Sequence, residues 1–187
     1  MALRDLEPVE LEWIERAPET VRVSEHIEAP PAAVFAKLVD AESWTRWFPL
    51  MTRASWLGDG RGVGAEREVK LLALGRFRER FVAFEPDRRF AFTVIQSSSR
   101  MMTRFAEDYR LTPEGDGTRF DWTMGAEATG LGKRLAPGMR FFMQQLLTRA
   151  ARNLDKQLVA QRTTTYEKPA VSTSARPHGA HSRKRRP

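Results

Sequence analysis

Residues 21–27 (Val-Arg-Val-Ser-Glu-His-Ile) alternate apolar and polar side chains, the two-residue period of a strand with one buried face. Pro30 and Pro31 end that strand, because proline offers no N–H to a ladder yet fits the first turn of a helix. Val34, Phe35, Leu38 and Val39 then recur at helical spacing and predict a short helix. Asp40 is placed to cap a second, which carries Trp44, Trp47 and Phe48 on one side and ends at Pro49. Six strand-like segments follow, at 51–57, 64–72, 76–85, 89–96, 101–111 and 118–127. Gly58-Asp59-Gly60, Gly75, Pro86-Asp87, three serines and Pro113-Glu114-Gly115-Asp116-Gly117 separate them. Breaks at roughly ten-residue spacing predict an antiparallel meander. From about 137 to 162 the period returns to that of a helix. Met139, Phe142, Met143, Leu146, Ala150, Leu154 and Leu158 form one apolar stripe, and Arg140, Arg149, Arg152, Lys156 and Arg162 fall mostly elsewhere. At 1.5 Å per residue this helix is roughly 39 Å long, enough to cross the sheet. A sheet bracketed by two small helices and a large one is expected to curl around the large one and leave a cavity between them.

Alternation also assigns faces. In the last strand Thr118, Phe120, Trp122, Met124 and Ala126 form the set expected to face the long helix, and Arg119, Asp121 and Thr123 the outward set. A hairpin through Gly115 places Tyr109 opposite Phe120, Glu107 opposite Trp122 and Phe105 opposite Met124. A turn at Pro86-Asp87 places Phe81 opposite Phe92, Ala83 opposite Phe90 and Glu79 opposite Val94. Glu79 and Glu107 therefore point inward among aromatic rings, where an unpaired carboxylate either finds a partner or shifts its pKa upward. Arg67 or Lys70 is the available partner for Glu79. Register in residues 64–72 stays open, with either Arg67 and Val69 or Glu68 and Lys70 facing inward. Three roles are open for the carboxylates: an internal ion pair or a carboxylate bonded to Tyr109, a polar anchor for a ligand hydroxyl or carbonyl, or acid–base catalysis by Glu107 with Tyr109. Trp44 and Trp47 are expected to pack the small helices at the sheet mouth, their indole N–H groups finding local acceptors. Met139, Phe142, Met143 and Leu146 are core residues, some of which can also line a cavity, where adaptable methionines suit an irregular ligand.

Composition narrows the chemistry. The chain has 187 residues, 41% of them hydrophobic, which suits one domain with tails. Cysteine is absent, so a disulfide framework, a thiolate nucleophile and a sulfur-bound zinc are excluded. His26, His178 and His181 are scattered without carboxylates at ligand spacing; no metal and no cofactor are expected. The glycine-rich run 58–64 precedes no helix and reads as a loop, not a phosphate cradle. No apolar stretch approaches the roughly 20 residues of a membrane span and no leader pattern opens the chain, so a soluble, cytoplasmic protein is expected. The net charge of +7 is unevenly spread. Residues 1–19 carry −4, residues 20–162 carry +6 in scattered positions, and residues 163–187 carry +5, ending in Arg183-Lys184-Arg185-Arg186. The chain is thus divided into an acidic N-terminal extension (1–19), a domain (20–162) and a disordered basic tail (163–187), because the tail has no apolar period to offset chain entropy.

Strand, two small helices, six antiparallel strands and a long C-terminal helix make a helix-grip arrangement. With Ile27-Glu28-Ala29-Pro30-Pro31-Ala32-Ala33-Val34-Phe35, Trp44-Thr45-Arg46-Trp47-Phe48-Pro49 and Gly117-Thr118-Arg119-Phe120-Asp121-Trp122, the chain resembles the START-like (SRPBCC) superfamily, in its polyketide cyclase/dehydrase and lipid-transport branch, over about residues 20–160. The resemblance implies an α+β helix-grip fold: a curved seven-stranded antiparallel sheet (β-α-α-β6-α) wrapped around a long C-terminal helix, with an internal cavity. It also implies binding or transport of a hydrophobic small molecule such as a lipid, quinone or polyketide. Glu79, Phe81, Phe92, Phe105, Glu107, Tyr109, Trp122, Met139, Phe142 and Met143 are the expected ligand-binding set. Two alternatives stand beside it. One is a cyclase or dehydratase using Glu107 and Tyr109; the other is a module touching RNA, the ribosome or an anionic membrane through the basic tail. No catalytic motif transfers residue by residue, so the reading leans away from an enzyme.

Overall fold

The computed structural model describes residues 2–166; of the tail expected to be disordered, 163–187, residues 163–166 continue the last helix and those from 167 onward lie outside the described residues. Strand β1 (Arg4–Asp5) and the short helix α1 (Leu11–Glu15) precede β2 (Glu19–Ile27). Helix α2 (Pro31–Val39), a 3-10 turn (Ala41–Ser43) and α3 (Trp44–Trp47) follow. Then come β3 (Met51–Leu57), β4 (Glu66–Leu71), β5 (Gly75–Glu85), β6 (Arg89–Ser97), β7 (Met102–Glu114), β8 (Gly117–Ala128) and α4 (Gly130–Tyr166). Local chemistry sets the small helices. Pro31 occupies the first turn of α2, where its missing N–H costs nothing, and the Asp40 side chain accepts from Ser43 N–H at 3.3 Å to start the next turn.

The strands form one antiparallel sheet in the order β2-β8-β7-β6-β5-β4-β3. The curved, open sheet packs against α4, which runs along β2 and meets β8 and α3. Met143, Leu147, Ala150, Ala151, Leu154 and Leu158 are the buried face of α4, a stripe at helical spacing. Side-chain bonds fix its position: Asn153 Nδ2 donates to Trp47 O (3.1 Å), Gln144 Nε2 to Arg22 O (2.9 Å), and Asp155 accepts from Glu28 N–H (2.7 Å). This is the helix-grip architecture.

Several details differ from the sequence reading. Helix α4 begins at Gly130 rather than near 137. Gly132 permits this approach, because a Cβ there would lie 2.3 Å from Met101 O. Of the acidic N-terminal extension expected over 1–19, β1 and α1 pack on the sheet and Glu19 opens β2. β7 pairs with β6 only as far as Thr93, and β1 covers the β6 edge beyond it, at Gln96 and Ser97, as an eighth strand. Val9, Ile14 and Ala106 then form a second apolar cluster on the outer side of β7.

Two registers also shift. β7 and β8 continue to Glu114 opposite Gly117, leaving a two-residue loop with Gly115 at φ +58°. Tyr109 therefore faces Trp122, Glu107 faces Met124 and Phe105 faces Ala126, each two residues from the expected partner and on the same face. Between β5 and β6, Phe81 faces Phe92 and Glu79 faces Val94 as expected, but Val82 is an extra residue. Ala83 consequently faces Ala91 rather than Phe90. The bulge lets Phe81 and Phe84 both reach the core, their rings 6.2 Å apart.

Candidate functional site

The open register of β4 is settled by burial. Arg67 and Val69 are inward, 0% and 2% exposed, and Arg67 sits opposite Glu79 on β5. Its Nε donates to Glu79 Oε2 at 2.6 Å. Its Nη1 and Nη2 make no hydrogen bond; instead the guanidinium lies 4.3 Å from the Trp44 ring centre and between 5.4 and 5.7 Å from those of Phe81, Phe92 and Phe90. Ring faces carry negative charge density, so this cage takes the place of water around the cation.

A second polar group lies two strands away. The hydroxyl of Tyr109 donates to Glu107 Oε2, and Trp122 Nε1 donates to the same oxygen at 3.2 Å. Burial pushes the Glu107 carboxyl up to about 8, helped by the nearby charge of Glu79 and opposed by its hydrogen bonds and by Arg67. Burial also raises Glu79, against the opposing pull of Arg67. The two carboxyls differ in their partners. A guanidinium does not lose its proton, so Glu79 is the counter-ion of Arg67, whereas the donors to Glu107 among the described residues are the neutral Tyr109 and Trp122, and with its carboxyl pushed up to about 8 it holds its proton at neutral pH. Burial raises the Tyr109 phenol as well, well above its ordinary value, with Glu107 adding to the effect.

Above these groups lies a cavity of about 180 Å³ between the sheet and the first half of α4. Its deep end is formed by the buried Trp44, Phe92, Val94, Glu79 and Glu107. Toward the more exposed end are Leu71, Ala73 and Leu74 of the β4–β5 turn, Ser99, Met101 and Met102, and Arg140 of α4. Phe48, Val69, Phe77 and Phe105 line its sides. So do Met51, Met124, Met139 and Met143, so every methionine after Met1 borders this space. Methionine is flexible and polarisable and adapts to irregular shapes. At 180 Å³ the space slightly exceeds the roughly 150 Å³ cavity that holds a benzene ring.

Of the residues expected at the site, Glu79, Phe92, Phe105, Glu107, Met139 and Met143 border the cavity. Phe81, Tyr109 and Trp122 are buried behind it and do not line it; they hold Arg67 and Glu107 in place. Phe142 turns away, 42% exposed, because the buried stripe of α4 runs through Met143 and Leu147. Trp44 was expected only as packing, and Phe48 only on one side of the second small helix; both line the cavity. Trp44 donates its Nε1–H to Leu38 O at 2.9 Å and still presents its ring to the cavity. The methionine positions were the missed signal: six of them, spread over β3, the start of β7, β8 and α4, converge on one space.

The sequence profile described as "Polyketide cyclase / dehydrase and lipid transport" matches residues 18–159. The chain belongs to this family. A protein of Mycobacterium tuberculosis named as the uncharacterised protein Rv2574 is 32% identical over 149 residues, 79% of this chain and 89% of its own length. Among solved structures, TTHA0849 from Thermus thermophilus superposes with a TM-score of 0.64 at 22% identity, covering 76% of this chain and 98% of that one. The Mll3558 protein from Rhizobium loti gives 0.57 at 25% identity, covering 72% and 96%. These likenesses establish the helix-grip fold of the family. Among the described residues, no helix is long and apolar enough to cross a membrane.

Proposed function

We propose that the protein binds a hydrophobic small molecule, of the lipid, quinone or polyketide kind, in the cavity between the sheet and α4. One observation carries this reading: an apolar, methionine-lined space with two carboxyl groups at its deep end. Burying apolar ligand surface there stabilises the complex by about 25 cal/mol per Å², and the two carboxyls orient what enters. A cavity of this volume holds a ring or a few chain carbons, so a longer ligand extends toward the β4–β5 turn and Met101. Titration with the neutral fluorophore N-phenyl-1-naphthylamine tests it. Saturable one-to-one binding is expected, reduced at least tenfold by Ala126→Phe, which projects a ring from a cavity-lining position. Absence of binding, or binding indifferent to that substitution, would overturn the reading.

A second reading, acid–base turnover of the bound molecule, draws on the contrast between the two carboxyls. A protonated Glu107 beside an ionised Glu79 is the pairing in which one group gives a proton and the other receives one. Mass analysis of the bound molecule before and after incubation tests this. Conversion that stops in Glu107→Gln while affinity persists supports it, and an unchanged molecule rules it out.

A further inference from the structure

The inference concerns the polar end of the ligand and rests on the cavity-binding reading above. Glu107 Oε2 already accepts two hydrogen bonds, from Tyr109 and Trp122. A neutral carboxyl then carries its proton on Oε1, the oxygen these donors leave free. Since Glu107 lines the cavity, that O–H is a donor offered to whatever occupies it. Glu79, also lining the cavity, uses Oε2 for Arg67 and leaves Oε1 as an acceptor. The two lie on β7 and β5, the strands on either side of β6, whose Phe92 and Val94 border the space between them.

We infer that the deep end of the cavity recognises the neutral polar end of an apolar molecule in which a carbonyl oxygen stands beside a hydroxyl. The carbonyl accepts from Glu107 and the hydroxyl donates to Glu79. A plain hydrocarbon would leave the Oε1 atoms of both carboxyls without partners in a buried place, which is costly. An anionic head would meet the Glu79 charge with no free cation among the described residues at that end to answer it, because the remaining Arg67 nitrogens are enclosed by the rings of Trp44, Phe81, Phe90 and Phe92. The charged and titratable groups around Glu107 are Arg67 on β4, Glu79 on β5 and Tyr109 on its own strand, with Glu19 of β2 and Arg140 of α4 lining the same cavity. Ionisation of Glu107 removes the donor, so recognition of the carbonyl weakens as pH rises through about 8.

The test uses four probes built on one phenyl-ethyl carbon skeleton, titrated into the full chain by calorimetry: 2-hydroxyacetophenone, acetophenone, 2-phenylethanol and ethylbenzene. At pH 6.5 the hydroxy-ketone is expected to bind about tenfold more tightly than ethylbenzene, with the two singly substituted probes between, as two modest hydrogen bonds imply. At pH 9.5 the advantage falls below threefold. Glu107→Gln, which replaces the acid O–H by an amide N–H, keeps the tenfold advantage at pH 9.5, where the unsubstituted protein loses it. Equal affinity for all four probes overturns the inference and leaves the cavity reading standing. Acetophenone matching the hydroxy-ketone removes Glu79 from it, and a preference unchanged at pH 9.5 removes Glu107; either result overturns the paired recognition. Failure of all four to bind overturns the cavity reading itself.

Discussion

Arg67 and Glu79 meet through a 2.6 Å bond on the apolar face of the sheet, with 0% and 5% of their side chains exposed. Charges so deep are retained only when each answers the other. Arg67→Met leaves the Glu79 charge uncompensated and should lower stability by about 3–5 kcal/mol, as breaking a buried pair from one side does. Arg67→Met with Glu79→Leu should recover most of that loss, since an apolar pair of similar volume needs no compensation. Urea denaturation of the two variants decides; equal losses would mean that the charges are not coupled.

The pH dependence of stability follows from Glu107, whose carboxyl is at about 8 in the folded chain against an ordinary value of 4.5. Below 4.5 both folded and unfolded chains hold the proton, and stability carries no penalty from this group. Between 4.5 and 8 the unfolded chain releases it while the folded chain keeps it, so stability falls as pH rises; above 8 the loss is complete. The full loss is on the order of 5 kcal/mol at 1.36 kcal/mol per pKa unit. Glu107→Gln should flatten the curve between these limits, as measured by denaturation at pH 5 and pH 8.5. An unchanged slope would mean that Glu107 is ionised in the folded protein.

Helix α4 offers a paired comparison between its two faces. Leu147 is fully buried and Phe142 is 42% exposed. Leu147→Ala should cost about 2–5 kcal/mol through the cavity it opens. Phe142→Ser should stay within about 0.5 kcal/mol, the range of ordinary surface changes. Thermal unfolding separates them, and a large loss at Phe142 would place it in the core.

The N-terminal segment is expected to unfold with the sheet. Ile14 is 1% exposed against β7 and β8, and Ile14→Ala should cost about 2–4 kcal/mol. Hydrogen exchange should show the freed amides of β6 near Gln96 and Ser97 losing protection together with Leu6. Independent exchange of the two would make the segment a loose attachment.

Element types and order were legible because they depend on local chemistry. Alternation at Val21, Val23 and Ile27 made β2, and Pro31 and Asp40 set the small helices. The 3.6-residue period placed the long C-terminal helix. The inward direction of Glu79 and Glu107 was legible too, since a strand's alternation survives a register shift of two. What alternation leaves open is which residue stands opposite which. The two-residue loop at Gly115 and the extra residue Val82 moved partners without exchanging the faces of Glu107 or Phe81, and one-dimensional pattern carries no record of either.

The sequence by itself determined that a curved antiparallel sheet would close on a helix, that aromatic residues would fill it, and that two carboxyls would point inside. It took the folded chain to show that Arg67 pairs with Glu79, that Tyr109 and Trp122 serve Glu107 from behind the cavity, and that six methionines from β3, the start of β7, β8 and α4 meet around one space. The N-terminal segment belongs with these, because its strand is two residues long and its helix five. The reason is range. Period and proline act between neighbours in the chain, whereas cavities, ion pairs and covered edges are made by residues brought together only when the sheet curls.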